Sequence, residues 1–266
     1  MSDWELMAAL AGSAASAAAA LAAPSIRTAL AIGNAQPWRW VVRSESMDLY
    51  ADPTRRAATL DPNRHLLWLS CGGSLHHARV ALAAEGFGAE VTMRPDDDPD
   101  HLATVRAPVR IEVTREAKEL YEATGLPHTE RRRIADVPPD KEALGELADA
   151  AEAEGVGLLQ LSPDEIMDLA AATTIKPKVR ERIGREPANA FAVLYGKRNS
   201  VEGWLAAGQA LSAVWLTAIR LDMSVVPSSA VIQIPGSGRI MRRLLAGRGI
   251  PYLALRMGRL AVDSAG

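Results

Sequence analysis

Apolar and polar residues recur along the first half of the chain with two periods, which predict a mixture of strands and helices. Alternation with a period of two predicts strands at Trp38 to Val42, Met47 to Tyr50, Ala89 to Met93 and Val109 to Val113. Helical spacing predicts an Ala-rich helix from Ala8 to Ala23 and a second helix from Leu66 to Gly86, where the glycine suits a helix end. The acidic stretch from Pro95 to Asp100 is expected to be a solvated turn.

The second half combines the same two periods with helix-capping residues. Asp140, after two prolines, and Ser162, before a proline, are expected to cap the starts of two helices. The longest helical pattern runs from Trp204 to Leu221. Strands are predicted at Leu158 to Leu161, Phe191 to Tyr195, Val225 to Val226 and Tyr252 to Met257.

Residues 1–118 and residues 119–266 share a coarse order, in which a helix-rich piece is followed by strands. We therefore predict two similar halves with a boundary between residues 118 and 119. The mixed pattern predicts an α+β fold, in which helices pack around antiparallel sheets. We expect the halves to pair through the helix from Trp204 to Leu221.

Composition narrows the range of functions. Of 266 residues, 48% are apolar and 23% charged, which allows a well-buried core. The net charge is −2 and the charges are spread evenly, so we expect no binding to nucleic acid. Neither half of the chain is a basic module, so a polyanionic partner is not expected.

Cysteine and histidine usage argues against a metal site. Cys71 is the single cysteine, which excludes a disulfide framework and a thiolate zinc site, and beside two glycines it suits a small buried position. The five histidines lack metal-ligand spacing. The Ala-rich start lacks the cationic residues of a secretory signal, and no apolar run is long enough to cross a bilayer. We expect no membrane partner and a cytoplasmic location.

The segment Gly33 to Trp40 is the strongest candidate for chemistry. Pro37 fixes its own φ and restricts the residue before it, so the chain is stiff where Asn34 and Gln36 present their amides. Each amide carries a donor and an acceptor, which suits the edge of a flat heteroaromatic ring. Trp38 shares a strand face with Trp40. The alternative is a strand start whose tryptophans belong to the core.

This segment resembles the Asn-x-Gln-Pro-Trp signature of the FMN-dependent nitroreductase family, in which the loop lines the flavin. Four further segments resemble the actinobacterial Acg-like branch, in which two nitroreductase-like halves are fused in one chain. They are Leu60 to Arg64 followed by Leu69 to Leu75, His128 to Arg132, Trp204 to Ala210, and Gly249 to Gly258. The resemblance implies a nitroreductase-like fold over most of residues 27–259.

The resemblance also implies which residues bind the cofactor. Asn34, Gln36 and Trp38 are expected at the flavin ring, and Thr129, Arg131 and Arg132 at the FMN phosphate. Arginine suits that role because its planar fork donates two parallel hydrogen bonds and does not titrate. The alternative for Arg131 to Arg133 is an exposed charged face.

The function that follows from the resemblance is an oxidoreductase that moves hydride from NAD(P)H through FMN to a nitro compound or quinone. The chemistry is that of the cofactor, so we name no catalytic side chain. One alternative is a flavin-sequestering or degenerate protein, because the family's Ala-Pro-Ser motif occurs early here, at Ala23 to Ser25. Another is a specialised oxidase of the same superfamily. Pairing of the halves inside a monomer and a homodimer both stay open.

Overall fold

The computed structural model describes residues 22–29, 31, 35–55, 61–126, 137–172, 189–228 and 237–260. They form two antiparallel four-stranded sheets with helices, which confirms the predicted α+β class. The chain divides into two compact units. Unit 1 comprises Met1–Pro127 with Ser200–Ser212, and unit 2 comprises His128–Asn199 with Ala213–Gly266. The predicted boundary between residues 118 and 119 stays a prediction.

Unit 1 contains the first sheet, whose strand order is β1-β2-β4-β3. Its strands are β1 Trp38–Val42, β2 Met47–Ala51, β3 Phe87–Met93 and β4 His101–Arg110. Its helices are α1 at residues 22–28, α2 His65–Ala84 and α3 Arg115–Thr124, with a short 3-10 turn at Pro53–Arg55. The predicted helix from Ala8 to Ala23 lies outside the described residues except at its end.

Unit 2 contains the second sheet, with strand order β5-β6-β8-β7. Its strands are β5 Gly157–Gln160, β6 Ala190–Gly196, β7 Met223–Ser228 and β8 Ile250–Arg259. Its helices are α4 Lys141–Ala153, α5 Pro163–Ala172 and α7 Ser237–Leu244. Helix α6, Val201–Arg220, contributes to both units, because the division falls between Ser212 and Ala213.

The two sheets share one topology. Counted within each sheet, both place their strands in the order first, second, fourth, third, and every pair is antiparallel. This repeat agrees with the prediction of two similar halves.

The predicted helix caps are confirmed by hydrogen bonds. The Asp140 carboxylate accepts from the Ala143 amide at 2.8 Å at the start of α4. At the start of α5, the Ser162 hydroxyl accepts from the Glu165 amide, and the Glu165 carboxylate accepts from the Ser162 amide at 2.8 Å, which is a capping box. Gly86 has a φ of +78° just after α2, the left-handed conformation that glycine adopts without strain.

The prediction of a strand at Val109 to Val113 is wrong in position. Strand β4 begins eight residues earlier, at His101, and pairs with both β2 and β3. Its buried half includes Leu102 and Val105, which are at most 1% exposed. Position in the sheet explains the error, because a central strand takes its burial from two neighbours and does not require a conspicuous apolar pattern.

Candidate functional site

The described residues contain only part of the predicted cofactor site. Gln36 and Trp38 are described, whereas Asn34, Thr129, Arg131 and Arg132 lie outside the described residues. The described part of the site is the polar elbow that leads into β1, defined as Ala35 to Trp38, together with the helices that hold it.

The elbow is held in an uncommon backbone conformation. Gln36 has a φ of +44°, in the left-handed region that residues with a Cβ seldom adopt. Its side-chain Nε2 donates to the carbonyl oxygen of Arg27 at 2.9 Å. The next residue, Pro37, is buried, and its carbonyl oxygen accepts from the Asp52 amide at 2.9 Å. Strain of this kind persists where the surrounding structure fixes the backbone, and it concentrates at functional sites.

The tryptophans of β1 pack inward. Trp38 is 8% exposed and belongs to the hydrophobic core of unit 1, opposite Ala51 on β2. Trp40 is partly buried against the same core, and its indole Nε1 donates to the hydroxyl of Ser74 at 2.9 Å. This burial favours the core interpretation of both side chains. A flavin contact for Trp38 stays a prediction.

The early Ala-Pro-Ser segment has a structural partner. Ser25 lies in α1 and is 1% exposed, and its hydroxyl donates to the carbonyl oxygen of His77 at 3.2 Å. In return, Nδ1 of His77 donates to the carbonyl oxygen of Ser25 at 2.8 Å. Together with the bond from Gln36 to Arg27, these contacts connect the elbow to α2 through α1.

Helix α2 makes a close crossing with the first part of α6. A Cβ built on Gly208 would stand 1.9 Å from the carbonyl oxygen of Leu69, and one built on Gly72 would stand 2.1 Å from that of Leu205. Both glycines are therefore required by the approach of the two backbones. The resemblance included both glycines, but no local pattern in the sequence shows that they face each other.

Polar contacts accompany this crossing. His76 Nδ1 and the Ser212 hydroxyl are 2.8 Å apart, and an Arg79 guanidinium nitrogen donates to Oε1 of Gln209 at 2.8 Å. His76 is 6% exposed and Ser212 2% exposed. Burial lowers the pKa of His76 well below its ordinary value of 6.5, with smaller contributions from His77 and Arg79.

This buried histidine predicts acid sensitivity of unit 1. The folded state holds His76 neutral, whereas the unfolded chain takes up a proton near pH 6.5. Its contribution to stability is therefore complete above that pH and is lost progressively as the pH falls below it. We expect the unfolding free energy of the His76→Gln variant to depend less on pH across this window. Chemical denaturation of both proteins at a series of pH values tests this, and parallel pH profiles would contradict it.

The single cysteine is buried. Burial raises the pKa of the Cys71 thiol, whose sulfur lies 3.4 Å from the carbonyl oxygen of Pro37. That environment agrees with the small buried role expected for it. Within the described ranges, no group of three or more His, Cys, Asp and Glu side chains could hold a metal ion. None of the described helices has the length and apolar character that a membrane crossing requires.

Comparisons with known proteins show which proteins the chain is similar to. No protein-family model matches the chain. The chain is 32% identical over 187 residues to "Putative NAD(P)H nitroreductase Rv3131" of Mycobacterium tuberculosis, a stretch that covers 69% of this chain and 51% of the relative. It is also 32% identical over 149 residues to "Putative NAD(P)H nitroreductase acg" of the same organism, covering 55% of this chain and 45% of the relative. The chain thus spans about half the length of the curated relatives it matches.

Solved structures give weaker matches. A "putative nitroreductase in complex with fmn" from Desulfovibrio desulfuricans is 20% identical, and the match covers 55% of this chain and 89% of that chain with a TM-score of 0.41. A "Putative NADH dehydrogenase/NAD(P)H nitroreductase" from Parabacteroides distasonis is 17% identical, and the match covers 56% of this chain and 94% of that chain with a TM-score of 0.43. By sequence, the chain is similar to proteins named "Putative NAD(P)H nitroreductase", acg among them.

Proposed function

We propose that the chain is an FMN-binding, nitroreductase-like oxidoreductase that moves hydride from NAD(P)H through the flavin to a small acceptor of the nitro or quinone type. The observation that carries the proposal is the 32% identity, over 69% of this chain, with the mycobacterial relative named "Putative NAD(P)H nitroreductase Rv3131". The elbow at Gln36 gives independent support, because its strained backbone is fixed by contacts on both sides.

In this proposal, the described part of the elbow would face one edge of a flavin. The Gln36 amide already directs its nitrogen to the Arg27 carbonyl oxygen, so its orientation is set before a ligand arrives. Its Oε1 is an acceptor and suits the imide N–H of an isoalloxazine. Asn34, two residues earlier, would supply a second amide.

The phosphate end would rest on Thr129, Arg131 and Arg132. A hydroxyl and two guanidinium groups provide neutral and charged donors, and the arginines keep their charge at every physiological pH. Trp38 would support the flavin ring from the side of the core, because its side chain anchors β1 in the core of unit 1.

FMN, when bound, would supply the hydride-transfer chemistry, and the residues of the chain would contribute binding, orientation and exclusion of water. No side-chain acid or base is required, and we assign none. A cytoplasmic location belongs to this proposal, because a soluble nicotinamide donor and a reduced thiol at Cys71 suit that compartment.

Absorption spectroscopy of the purified chain with added FMN tests the function. Bound flavin that is bleached by NAD(P)H and recovers when a nitro compound or quinone is added supports the reductase. Bound flavin that does not respond to NAD(P)H supports sequestration instead. A chain that binds no flavin after reconstitution contradicts both and leaves only the relationship by sequence.

The double variant Asn34→Ala, Gln36→Ala tests the site. We expect FMN affinity to fall about tenfold or more, because two amide contacts worth roughly 1 kcal/mol each are removed. Gln160→Ala is the matched control, since it removes an exposed amide at the end of β5. Fluorescence titration with FMN measures affinity, and thermal unfolding checks that the double variant folds. Unchanged affinity in a folded double variant would remove the elbow from the site.

A further inference from the structure

The end of β4 and the residues after it carry an exposed apolar stripe. Val109, Ile111 and Val113 are 53%, 44% and 36% exposed. They stand at alternate positions, so in extended chain they share one face. Alternate β-branched residues are expected on a face that packs against another strand or helix, yet this stripe faces solvent.

Within the part of the chain that the structure describes, the same segment has a backbone edge with no paired strand. The Ile111 amide donates to the carbonyl oxygen of Gly86 at 3.0 Å, which continues the ladder with β3. Successive residues of an antiparallel strand direct their N–H and C=O groups to opposite sides. Because Ile111 bonds towards β3, the backbone groups of Arg110 and Glu112 point to the edge away from β3. On that edge β2 pairs with β4 only as far as Val105, and within the described residues no strand continues the pairing.

The charges on this segment are self-complementary. Residues Val109-Arg110-Ile111-Glu112-Val113 read as a palindrome of chemical types about Ile111, with opposite charges at the two flanking positions. Both charged residues are exposed. The Arg110 guanidinium lies over the ring of Phe87, 3.8 Å from the centroid, so its position is fixed on the face opposite the stripe.

We propose that a second copy of this chain binds here by antiparallel strand addition centred on Ile111. In that register Arg110 of each copy stands opposite Glu112 of the other, which forms two cross-strand ion pairs. The backbone groups of both residues then exchange hydrogen bonds across the new edge. On the other face, Ile111 meets its own counterpart, and each Val109 meets a Val113. The two copies of the first sheet become one continuous sheet.

Neighbouring registers are disfavoured. A shift that centres the pairing on Arg110 or on Glu112 places like charges opposite each other. If the facing residue changes by only one position, the apolar stripe of one copy lies beside the charged face of the other. Pro108 has no N–H to donate and stands at an open edge, where proline is tolerated. The sequence therefore permits pairing in one register and opposes the others.

The interface is small, so we expect a reversible dimer that forms at micromolar or higher concentrations. Sedimentation equilibrium of the full chain measures it. Glu112→Arg places like charges at both cross-strand pairs and is expected to weaken association roughly tenfold or more. A wild-type chain that stays monomeric, or a Glu112→Arg variant that associates as tightly as the wild type, would overturn the proposal.

A mixing experiment separates pairing from misfolding. Arg110→Glu alone is expected to self-associate poorly, for the same reason as Glu112→Arg. When the two variants are mixed, each pair of facing residues again has opposite charges, and we expect heterodimers roughly tenfold tighter than either homodimer. A mixture that associates no better than its components would overturn the register.

A matched pair of lysine substitutions tests the surface. Ile111→Lys puts two ammonium groups at the centre of the proposed pairing, whereas Val137→Lys replaces the most exposed large apolar residue among those that the structure describes in unit 2. We expect only Ile111→Lys to abolish the dimer. Persistence of the dimer in Ile111→Lys would place the interface elsewhere and contradict the inference.

Discussion

Replacing Gly208 by alanine is expected to destabilise unit 1 by about 3 kcal/mol, the upper range for overpacking a core. The new Cβ would stand 1.9 Å from the carbonyl oxygen of Leu69 and 2.9 Å from the Cα of Gly72. All of these neighbours are backbone atoms, so no side chain can rotate away. The helices would have to separate, and buried contacts along the crossing, including that of His76 with Ser212, would lengthen.

Gly145→Ala is the control for this prediction. Gly145 lies inside α4, and a Cβ there meets no atom within 4 Å. Alanine is the better helix former, so this variant should gain about 0.5–1 kcal/mol. Denaturant unfolding followed by circular dichroism compares the two variants with the wild type. Equal stability of the two variants would show that α2 and α6 do not approach each other at these glycines.

Replacing Arg131 by alanine is expected to weaken FMN binding about 10- to 100-fold while changing riboflavin binding little. A hydrogen bond to a charged group contributes roughly 1.5–3 kcal/mol, and only FMN carries the phosphate that would accept it. The prediction rests on the proposed function, because Arg131 was assigned from the sequence resemblance.

Arg133→Ala is the matched control, since it removes the same side chain from the same run but lies outside the segment that resembles the family. We expect it to leave both affinities close to those of the wild type. Titration of the apoprotein with each flavin gives the comparison. If both variants weakened FMN binding equally, the run would be better explained as an exposed charged face. If Arg131→Ala weakened FMN binding and riboflavin binding equally, Arg131 would not bind the phosphate.

The elements that the sequence predicted well carry their own local signals. Helices α4 and α5 begin at Asp140 and Ser162 because those side chains satisfy amides that the helix itself leaves unpaired. Gly86 ends α2 because the backbone there turns left-handed. Each signal acts within a few residues, so it can be recognised without knowledge of the fold.

The elements that the sequence misplaced depend on distant partners. Val109 to Val113 has the stronger alternation, yet His101 begins the central strand because β2 and β3 cover it on both edges. Helix α3 was not predicted, because Arg115 to Thr124 is largely polar, although Thr114 caps it through the Ala117 amide at 3.1 Å. Burial between β2 and β3 decided the position of β4.

For the candidate site, the sequence alone selected the segment around Gln36 and Pro37, and it supplied the resemblance to the nitroreductases from which the phosphate arginines are proposed. The tertiary structure decided what each described side chain contacts. It buries Trp38 in the core and bonds the Gln36 amide to the Arg27 carbonyl oxygen. It also packs Gly72 against Gly208, which lies 136 positions later in the sequence. Residue types and short spacings reveal which chemistry a chain can perform. Which groups meet depends on how strands and helices pack, and that is set by the whole chain at once.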